Sequence, residues 1–224
     1  MAGVALEEMV TGTASKPGIT LKEMQMQAIM HFIRHRDTIV ALPTGYGKSM
    51  IYGCLPFLFD SLRGLPSVTS IASVVCPLKT PMVDQTFRFR EMGISSAYVG
   101  DTSCSRDKFI EGEFQLVFIS PESLYSRGST WTTFIKSDLG DYCPDFSKLG
   151  KVRSILPKDT KVLALTATAT EPLKQHVIHT IGMNNVAIIE LSPEKKNLFF
   201  SVEEYKSIAT TFRPLMEDLK TKSN

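Results

Sequence analysis

The chain reads Leu42-Pro43-Thr44-Gly45-Tyr46-Gly47-Lys48-Ser49 between an apolar run, Thr38–Leu42, and a helix-like segment that begins at Met50. Glycines at positions 45 and 47 let backbone N–H groups turn toward an anion without a clash from a Cβ atom. The N-terminus of the following helix adds the positive end of its dipole. Leu42 stands where the strict pattern of such loops has glycine, but the Pro-Thr-Gly-x-Gly-Lys-Ser form and its strand–loop–helix context remain. The stretch therefore predicts a phosphate-binding loop.

A loop of this type binds a nucleotide through its backbone and two side chains. Lys48 would reach the β- and γ-phosphates, and the Ser49 hydroxyl would hold Mg²⁺. The backbone of Thr44, Gly45, Tyr46 and Gly47 would surround the phosphates. The alternative is a glycine-rich turn that carries an exposed lysine.

The bulk composition bounds the remaining possibilities. The 224 residues are 43% hydrophobic and 21% charged, which is typical of a globular protein. A net charge of +2 is too small to indicate a nucleic-acid partner by itself. Four well-separated cysteines form no Cys-x-x-Cys pair, so they predict neither a zinc site nor a disulfide framework and favour a reducing compartment. No signal peptide is expected at Met1–Val10, because this segment contains Glu7 and Glu8 and has no sustained apolar run. No membrane span is expected, because Gly53 and Pro56 interrupt the longest apolar stretch.

Strand-like and helix-like segments alternate along the chain, which predicts an α/β fold with a parallel sheet. A loose tail is expected over residues 1–18, and Thr20 and Glu23 suggest a capping box for an amphipathic helix. The predicted strands are Thr38–Leu42, Ile71–Cys76, Ser96–Val99, Gln115–Ile119, Lys161–Leu165, Val186–Leu191 and Leu198–Val202. The later predicted helices are Thr80–Met92, Phe146–Ile155, Glu171–Ile181 and Ile208–Lys220.

Five segments around the loop resemble motifs of RecQ-family DNA helicases, in the order in which that family has them. They are Leu21–Ile29, Pro77–Gln85, Leu116–Leu124, Ala164–Thr170 and Lys195–Leu198. The resemblance runs from residue 21 to about residue 200. It implies a single RecA-like P-loop NTPase domain, with a parallel sheet flanked by helices, that uses ATP and Mg²⁺.

The same resemblance implies roles for residues outside the loop. Gln25 has an amide that can donate to and accept from adenine, and Lys22 could lay its stem on the base. The family has an aromatic residue shortly before that basic position, whereas this chain has Gly18, Ile19 and Thr20 there. The run Thr166, Ala167 and Thr168 resembles the residues that link nucleotide state to domain closure. Strand propensity is the alternative reading for the two threonines.

Two segments resemble the parts of the family that face DNA. Backbone N–H groups and short hydroxyls there contact phosphates and carry little sequence information. The implied DNA-binding residues are Pro77, Leu78, Thr80, Gln85, Ser120 and Pro121. The prolines have an alternative reading as strand terminators, which they would be in any α/β protein.

The Asp-Glu-Ala-His motif of the family occurs nowhere in the chain. Its Asp would orient Mg²⁺ and its Glu would position the attacking water, so we expect ATP hydrolysis to be lost or very slow. The region around residues 125–140 replaces it, and Asp138 and Asp141 are weak substitutes because no buried strand precedes them. No catalytic residue is assigned. The lost strand is an interior one in the family's sheet, so ladder groups are expected to lack partners.

The predicted organisation is a tail over 1–18, an ATP-binding domain over 19–191, and a connector over 192–224 toward a second RecA-like domain. The family activity is 3′ to 5′ DNA unwinding, which one motor domain is not expected to perform alone. The expected partners are single-stranded or partly duplex DNA and repair or replication proteins, and no membrane partner is expected. A nuclear location and a monomeric state are also expected. The alternatives are a non-catalytic DNA- or partner-binding regulator, a truncated or splice fragment, and a small-molecule kinase or GTPase.

Overall fold

The computed structural model describes part of the chain, and every structural statement below concerns that part. It comprises residues 3–15, 17–34, 37–66, 69–76, 78–101, 108, 111–121, 123, 160–192, 207–208 and 211–213. In chain order the helices and strands are α1 (Gly3–Ser15), α2 (Glu23–Arg34), β1 (Asp37–Ala41), α3 (Ser49–Arg63), β2 (Ala72–Val75), α4 (Lys79–Glu91), β3 (Ser96–Tyr98), β4 (Leu116–Ile119), β5 (Leu163–Thr166), α5 (Glu171–Ile181) and β6 (Val186–Glu190).

Every strand pairing is parallel, which confirms the predicted α/β class. β1 lies between β5 and β6, with Ala41 opposite Thr166 on one side and Glu190 on the other. In a second sheet β4 lies between β2 and β3, with Ile119 opposite Val75. The carboxyl ends of these strands are the places where an α/β fold presents its functional loops.

The described strands form two sheets of three, where the sequence predicted one sheet. β5 pairs with β1, and β2 pairs with β4. Neither β5 nor β2 pairs with a second described strand. The chain between β4 and β5 includes residues 124–159, which lie outside the described residues. The predicted helix Phe146–Ile155, the predicted strand Leu198–Val202 and the insert at 125–140 also lie outside them.

An aromatic cluster joins α3 and α4 to the second sheet. The Tyr52 ring lies 5.7 Å from Phe89 and 6.1 Å from Phe118, and the Phe89 and Phe118 rings are 6.2 Å apart, centroid to centroid. Phe89 and Phe118 are almost fully buried. Gly53 allows this packing, because a Cβ atom there would lie 2.5 Å from Phe89 Cε1.

The expectation of a loose tail over residues 1–18 is wrong, because α1 packs against α2 and α3. Leu6, Val10 and Ala14 are spaced four residues apart, share one face of the helix and are almost fully buried. Apolar burial of this kind stabilises a helix that its local sequence alone would not. The start of the chain is therefore part of the hydrophobic core.

Asp37, the first residue of β1, ties the amino end of the first sheet together. One carboxylate oxygen accepts a hydrogen bond from the Val162 N–H at 2.8 Å, and the other accepts one from the Asn184 N–H at 2.6 Å. The side chain is completely buried. It fixes the start of β1 relative to the segments that lead into β5 and β6, because both bonds are made to backbone groups.

The chain divides into two compact units, residues 1–193 and 194–224. Of the second unit, Ile208 and residues 211–213 are helical, and the Thr211 N–H donates to the Ser207 carbonyl. Among the described helices, none has the length and apolar character needed to cross a bilayer.

Candidate nucleotide-binding site

The loop after β1 has the backbone geometry that its sequence predicts. The two glycines, Gly45 and Gly47, have φ angles of 84° and 88°, which non-glycine residues rarely adopt. Thr44 and Gly45 are exposed. The loop leads directly into α3, whose N-cap, Lys48, makes no side-chain capping bond. The Lys48 side chain therefore does not cap the first N–H groups of α3, and those of Met50 and Ile51 donate to the Gly47 and Lys48 carbonyls at 3.0 and 3.1 Å. An anion at this helix end would be bound by the N-terminal N–H groups and by the positive end of the helix dipole.

Lys48 is held inside the loop by backbone oxygens. Its Nζ donates to the Leu42 carbonyl at 2.7 Å and to the Pro43 carbonyl at 3.2 Å. Partial burial lowers the pKa of the Lys48 ammonium from its ordinary value. An arriving phosphate would compete with two neutral carbonyls for this ammonium, and a charged acceptor forms the stronger hydrogen bond.

Ser49 is the first residue of α3, so its hydroxyl lies at the same helix end. In the described part of the chain, no group of three or more His, Cys, Asp and Glu residues could hold a metal ion. Mg²⁺ is commonly bound by one or two protein oxygens together with substrate phosphates and waters. The Ser49 hydroxyl therefore fits Mg²⁺ that arrives with a nucleotide, and this single oxygen does not form a metal site by itself.

Gln25 contacts the loop from α2 and is almost fully buried, with 1% of its surface exposed. Its Nε2 donates to the Tyr46 carbonyl at 3.0 Å and to the Gly47 carbonyl at 2.7 Å. Its Oε1 accepts a hydrogen bond from the Lys22 N–H at 2.7 Å. The amide expected to contact adenine thus binds the loop backbone.

The start of α2 explains the orientation of Gln25. The Met26 N–H bonds to the Lys22 carbonyl, so Lys22 is the N-cap residue and Gln25 is the third residue of the helix. A Gln at this position can reach back to the N-cap N–H. The predicted capping box of Thr20 and Glu23 is therefore wrong by two residues.

Lys22 and Tyr46 form a pair that sequence reasoning missed. The exposed Lys22 places its Nζ 5.0 Å from the centroid of the half-buried Tyr46 ring. This is the distance range of a cation–π contact. The signal in the sequence is the aromatic residue between the two loop glycines, for which the sequence predicted a backbone role alone.

The predicted coupling residues lie next to the loop. The Leu42 N–H donates to the Thr166 carbonyl at 3.2 Å, directly beyond the end of the β1–β5 pairing. The Thr166 hydroxyl donates to the Thr168 carbonyl at 2.7 Å and accepts from the Thr168 N–H at 3.3 Å. Thr166, Ala167 and Thr168 thus form a small turn that is bonded to the start of the phosphate loop.

The predicted DNA-binding residues are only partly brought together. Leu78 and Thr80 are exposed at the start of α4, beyond β2, and Ser120 follows β4 at the same sheet edge. The Ser120 hydroxyl binds Ser123, and Pro121 is buried. Gln85 accepts from the Tyr52 hydroxyl at 3.4 Å, so it contacts α3. Pro77 lies outside the described residues.

A family model for the DEAD/DEAH box helicase matches residues 22–137, slightly more than half of the chain. The chain belongs to the DEAD/DEAH box helicase family. The match includes the phosphate loop, α3, both strands of the predicted DNA-facing edge and α4.

Within that helicase family, curated relatives of the chain are RecQ-type proteins, in agreement with the motifs. It is 26% identical over 219 residues to the ATP-dependent DNA helicase hus2/rqh1 of Schizosaccharomyces pombe, covering 84% of this chain and 16% of that protein. It is 24% identical to the ATP-dependent DNA helicase RecQ of Haemophilus influenzae, covering 83% of this chain and 32% of that protein. It is 28% identical to the ATP-dependent helicase SGS1 of Saccharomyces cerevisiae, covering 80% of this chain and 14% of that protein. The chain spans at most about a third of these relatives.

Solved helicase structures share the fold. The DUF1998 helicase MrfA bound to DNA superposes with a TM-score of 0.58 at 16% identity, over 82% of this chain and 29% of that one. A second crystal structure of the DUF1998 helicase MrfA gives the same TM-score at 19% identity, over 82% of this chain and 32% of that one. These structural similarities support the RecA-like α/β architecture. Because the sequence identity is below 20%, they concern the fold alone.

The contacts of Gln25 lead to a prediction. We expect Gln25→Ala to lower the free energy of unfolding by about 1–3 kcal/mol, because it removes three partly buried hydrogen bonds that a buried side chain makes to the Tyr46 carbonyl, the Gly47 carbonyl and the Lys22 N–H. Urea denaturation measures the change. Gln27→Ala, on the exposed side of the same helix, should change it by less than about 0.5 kcal/mol. Equal effects of the two substitutions would contradict this role for Gln25.

Proposed function

We propose that the chain binds ATP with Mg²⁺ at the loop Thr44–Ser49, contacts single-stranded DNA at the neighbouring strand ends, and hydrolyses ATP very slowly. The observation that carries the proposal is the loop itself. Its glycines have positive φ angles, Lys48 Nζ donates to two carbonyls within the loop, and α3 begins at Ser49 without a capping bond from the Lys48 side chain. The RecQ-type relatives are named as ATP-dependent DNA helicases, which gives further support.

Binding follows from what each group offers an anion. Loop N–H groups and the α3 N-terminus surround the phosphates, and Lys48 exchanges its carbonyl partners for phosphate oxygens. ATP would supply the phosphoanhydride and bring Mg²⁺ to the Ser49 hydroxyl. Movement of the loop would act on the Thr166–Thr168 turn through the Leu42 N–H, which is how nucleotide binding would reach a neighbouring domain.

Slow hydrolysis is proposed from the sequence. The chain has no Asp-Glu-Ala-His motif, and Asp138 and Asp141 lie outside the described residues. A carboxylate that positions the attacking water normally contributes a large part of the rate. For the whole protein, we propose 3′ to 5′ unwinding and a role in DNA repair or recombination from the RecQ resemblance. The same resemblance is the basis for proposing a nuclear location and a monomeric state.

Lys48→Ala tests the nucleotide site directly. We expect ATP–Mg²⁺ affinity to fall at least about tenfold, since a charge-assisted contact to phosphate contributes roughly 1.5–3 kcal/mol. Isothermal titration calorimetry measures it. Lys108→Ala, which removes another exposed lysine, should leave affinity unchanged. Equal affinity in Lys48→Ala would refute ATP binding at this loop, and robust DNA-stimulated hydrolysis abolished by Lys48→Ala would refute the slow turnover.

A titration with a fluorescent single-stranded oligonucleotide separates this proposal from a nucleotide-independent regulator. Contacts to phosphates make DNA affinity fall as salt concentration rises. We expect such binding, and we expect ATP–Mg²⁺ to change its affinity in the wild type and to have no effect in Lys48→Ala. Salt-sensitive DNA binding in a chain that takes up no ATP would favour the regulator.

A further inference from the structure

Tyr52 joins the helix after the phosphate loop to both elements beside the predicted DNA-facing edge. It lies in the first turn of α3, which begins at Ser49. Its ring lies 5.7 Å from the Phe89 ring of α4 and 6.1 Å from the Phe118 ring of β4, centroid to centroid. Its hydroxyl donates to Gln85 Oε1 on α4 at 3.4 Å. One side chain of the candidate nucleotide site's helix thus contacts α4 and β4 together.

The two elements that Tyr52 contacts lead to residues predicted to bind DNA. α4 starts beside the exposed Leu78 and Thr80, and β4 ends directly before Ser120. Gln85 and Thr80 belong to the same helix. A shift of α4 at Gln85 would therefore also move Thr80 relative to Ser120, and would change the spacing of the predicted contacts to DNA phosphates.

The phosphate loop is bonded to the turn that carries Tyr52. The Met50 N–H donates to the Gly47 carbonyl at 3.0 Å, and the Ile51 N–H donates to the Lys48 carbonyl at 3.1 Å. Both carbonyls belong to loop residues that we expect at the phosphates. A change in the loop backbone at these two carbonyls would therefore alter the first turn of α3 and the position of Tyr52.

The hydrogen bond from Tyr52 to Gln85 is sensitive to a small movement. Burial raises the pKa of the Tyr52 hydroxyl above its ordinary value, so the group is a protonated donor at neutral pH. Its 3.4 Å distance to Gln85 Oε1 exceeds the roughly 2.7–2.8 Å that is typical of an O–H···O bond. A shift of about half an ångström would therefore either shorten this bond toward the typical length or break it.

We propose that Tyr52 is a positioning residue that couples the phosphate loop to the DNA-facing edge through its hydrogen bond to Gln85. The inference rests on the proposed binding of ATP and single-stranded DNA, and it assigns the contact by which each ligand alters the affinity for the other. Such coupling is reciprocal, because two ligands must change each other's affinity by the same factor. The coupling factor is the ratio of the DNA affinities measured with and without ATP–Mg²⁺.

Tyr52→Phe tests this contact, because it removes the hydroxyl and keeps the ring that packs against Phe89 and Phe118. Titration of a fluorescent single-stranded oligonucleotide with the full 224-residue chain measures the coupling factor. We expect a factor of at least about 5 in the wild type and of less than about 2 in Tyr52→Phe. The affinity of Tyr52→Phe for DNA alone, and by calorimetry for ATP–Mg²⁺ alone, should stay within about twofold of the wild type.

Tyr98→Phe is the matched control. It removes the hydroxyl of another half-buried tyrosine, which lies opposite Phe118 in the β3–β4 pairing. Because this hydroxyl belongs to neither α3 nor α4, the variant should keep the coupling factor of the wild type.

Gln85→Ala removes the acceptor of the same hydrogen bond. Gln85 is itself predicted to bind DNA, but the coupling factor compares each variant with itself, so a change in the affinity for DNA alone cancels. We expect Gln85→Ala to lose the coupling as Tyr52→Phe does, and the double variant to lose no more than either single variant. Additive losses would show that the two side chains act separately, which contradicts the proposed contact.

The remaining outcomes separate the contact from the two binding sites. A wild-type coupling factor in Tyr52→Phe would overturn the inference, and so would an equal loss of coupling in Tyr98→Phe. Weaker binding of each ligand alone in Tyr52→Phe would mean that the residue only supports the fold of α3. If the wild type binds ATP and DNA independently, the inference falls and the binding of each ligand stands. If the wild type does not bind one of the two, the proposed function and the inference fall together.

Discussion

Asp37→Ala is expected to lower the free energy of unfolding by about 3–5 kcal/mol, because the carboxylate accepts two buried backbone hydrogen bonds. A hydrogen bond to a charged group contributes roughly 1.5–3 kcal/mol, and the N–H groups of Val162 and Asn184 would be left without that acceptor. Asp37→Asn should cost less, because its remaining carbonyl oxygen can still accept from one N–H. Since Asp37 lies at the amino end of β1, away from the phosphate loop, ATP affinity at low temperature should not change.

Urea denaturation followed by circular dichroism measures this effect, with Asp84→Ala as the matched control. Asp84 is exposed on α4, so its removal should change stability by less than about 0.5 kcal/mol. Amide hydrogen exchange at Val162 and Asn184 gives a local readout, since both N–H groups should lose protection. A stable Asp37→Ala variant that keeps this protection would show that the carboxylate does not fix β1.

Phe89→Ala is expected to destabilise the fold by about 3–5 kcal/mol, which is the usual cost of removing a buried phenylalanine ring. The ring is completely buried and contacts Tyr52 and Phe118, so its loss leaves a cavity between α3, α4 and the second sheet. Phe87 lies two residues earlier on the same helix and is 57% exposed. Phe87→Ala should cost less than about 1 kcal/mol, because it removes little buried area.

Gly53→Ala probes the same contact from the opposite side. The new Cβ atom would lie 2.5 Å from Phe89 Cε1, so the helix-stabilising effect of alanine should be outweighed by overpacking of about 1–3 kcal/mol. Phe89→Leu, combined with Gly53→Ala, should recover part of that loss. A double-mutant cycle in urea measures the coupling, and additive effects would argue against the close approach of Gly53 and Phe89.

The sequence predicts local structure well where local chemistry decides it. α5 has the predicted bounds, Glu171–Ile181, because Pro172 near its start and a left-handed Gly182 at its end favour those boundaries. The positive φ angles of the loop were equally readable, because Gly45 and Gly47 lie close together in the chain. The family membership follows from such local motifs.

Contacts between distant segments were not readable in this way. Gln25 meets the carbonyls of Tyr46 and Gly47 more than twenty residues away, and nothing in its own helix indicates that contact. The spacing of Leu6, Val10 and Ala14 was visible, but whether another helix covers that face depends on the tertiary fold. The division of the described strands into two sheets also depends on pairing partners, which strand patterns alone do not specify.

Pro56 lies inside α3 and interrupts the backbone hydrogen bonding of the helix. Proline has no N–H, so the Tyr52 carbonyl loses its helical partner, and the axis is most easily bent at that turn. The part before Pro56 carries Ser49 at the phosphate loop and Tyr52 against Phe118, whereas the part after it carries Asp60, which accepts from the Thr69 and Ser70 N–H groups. A change in the direction of α3 would therefore be centred at Pro56, between the turns that carry Ser49 and Tyr52 and the turn that carries Asp60.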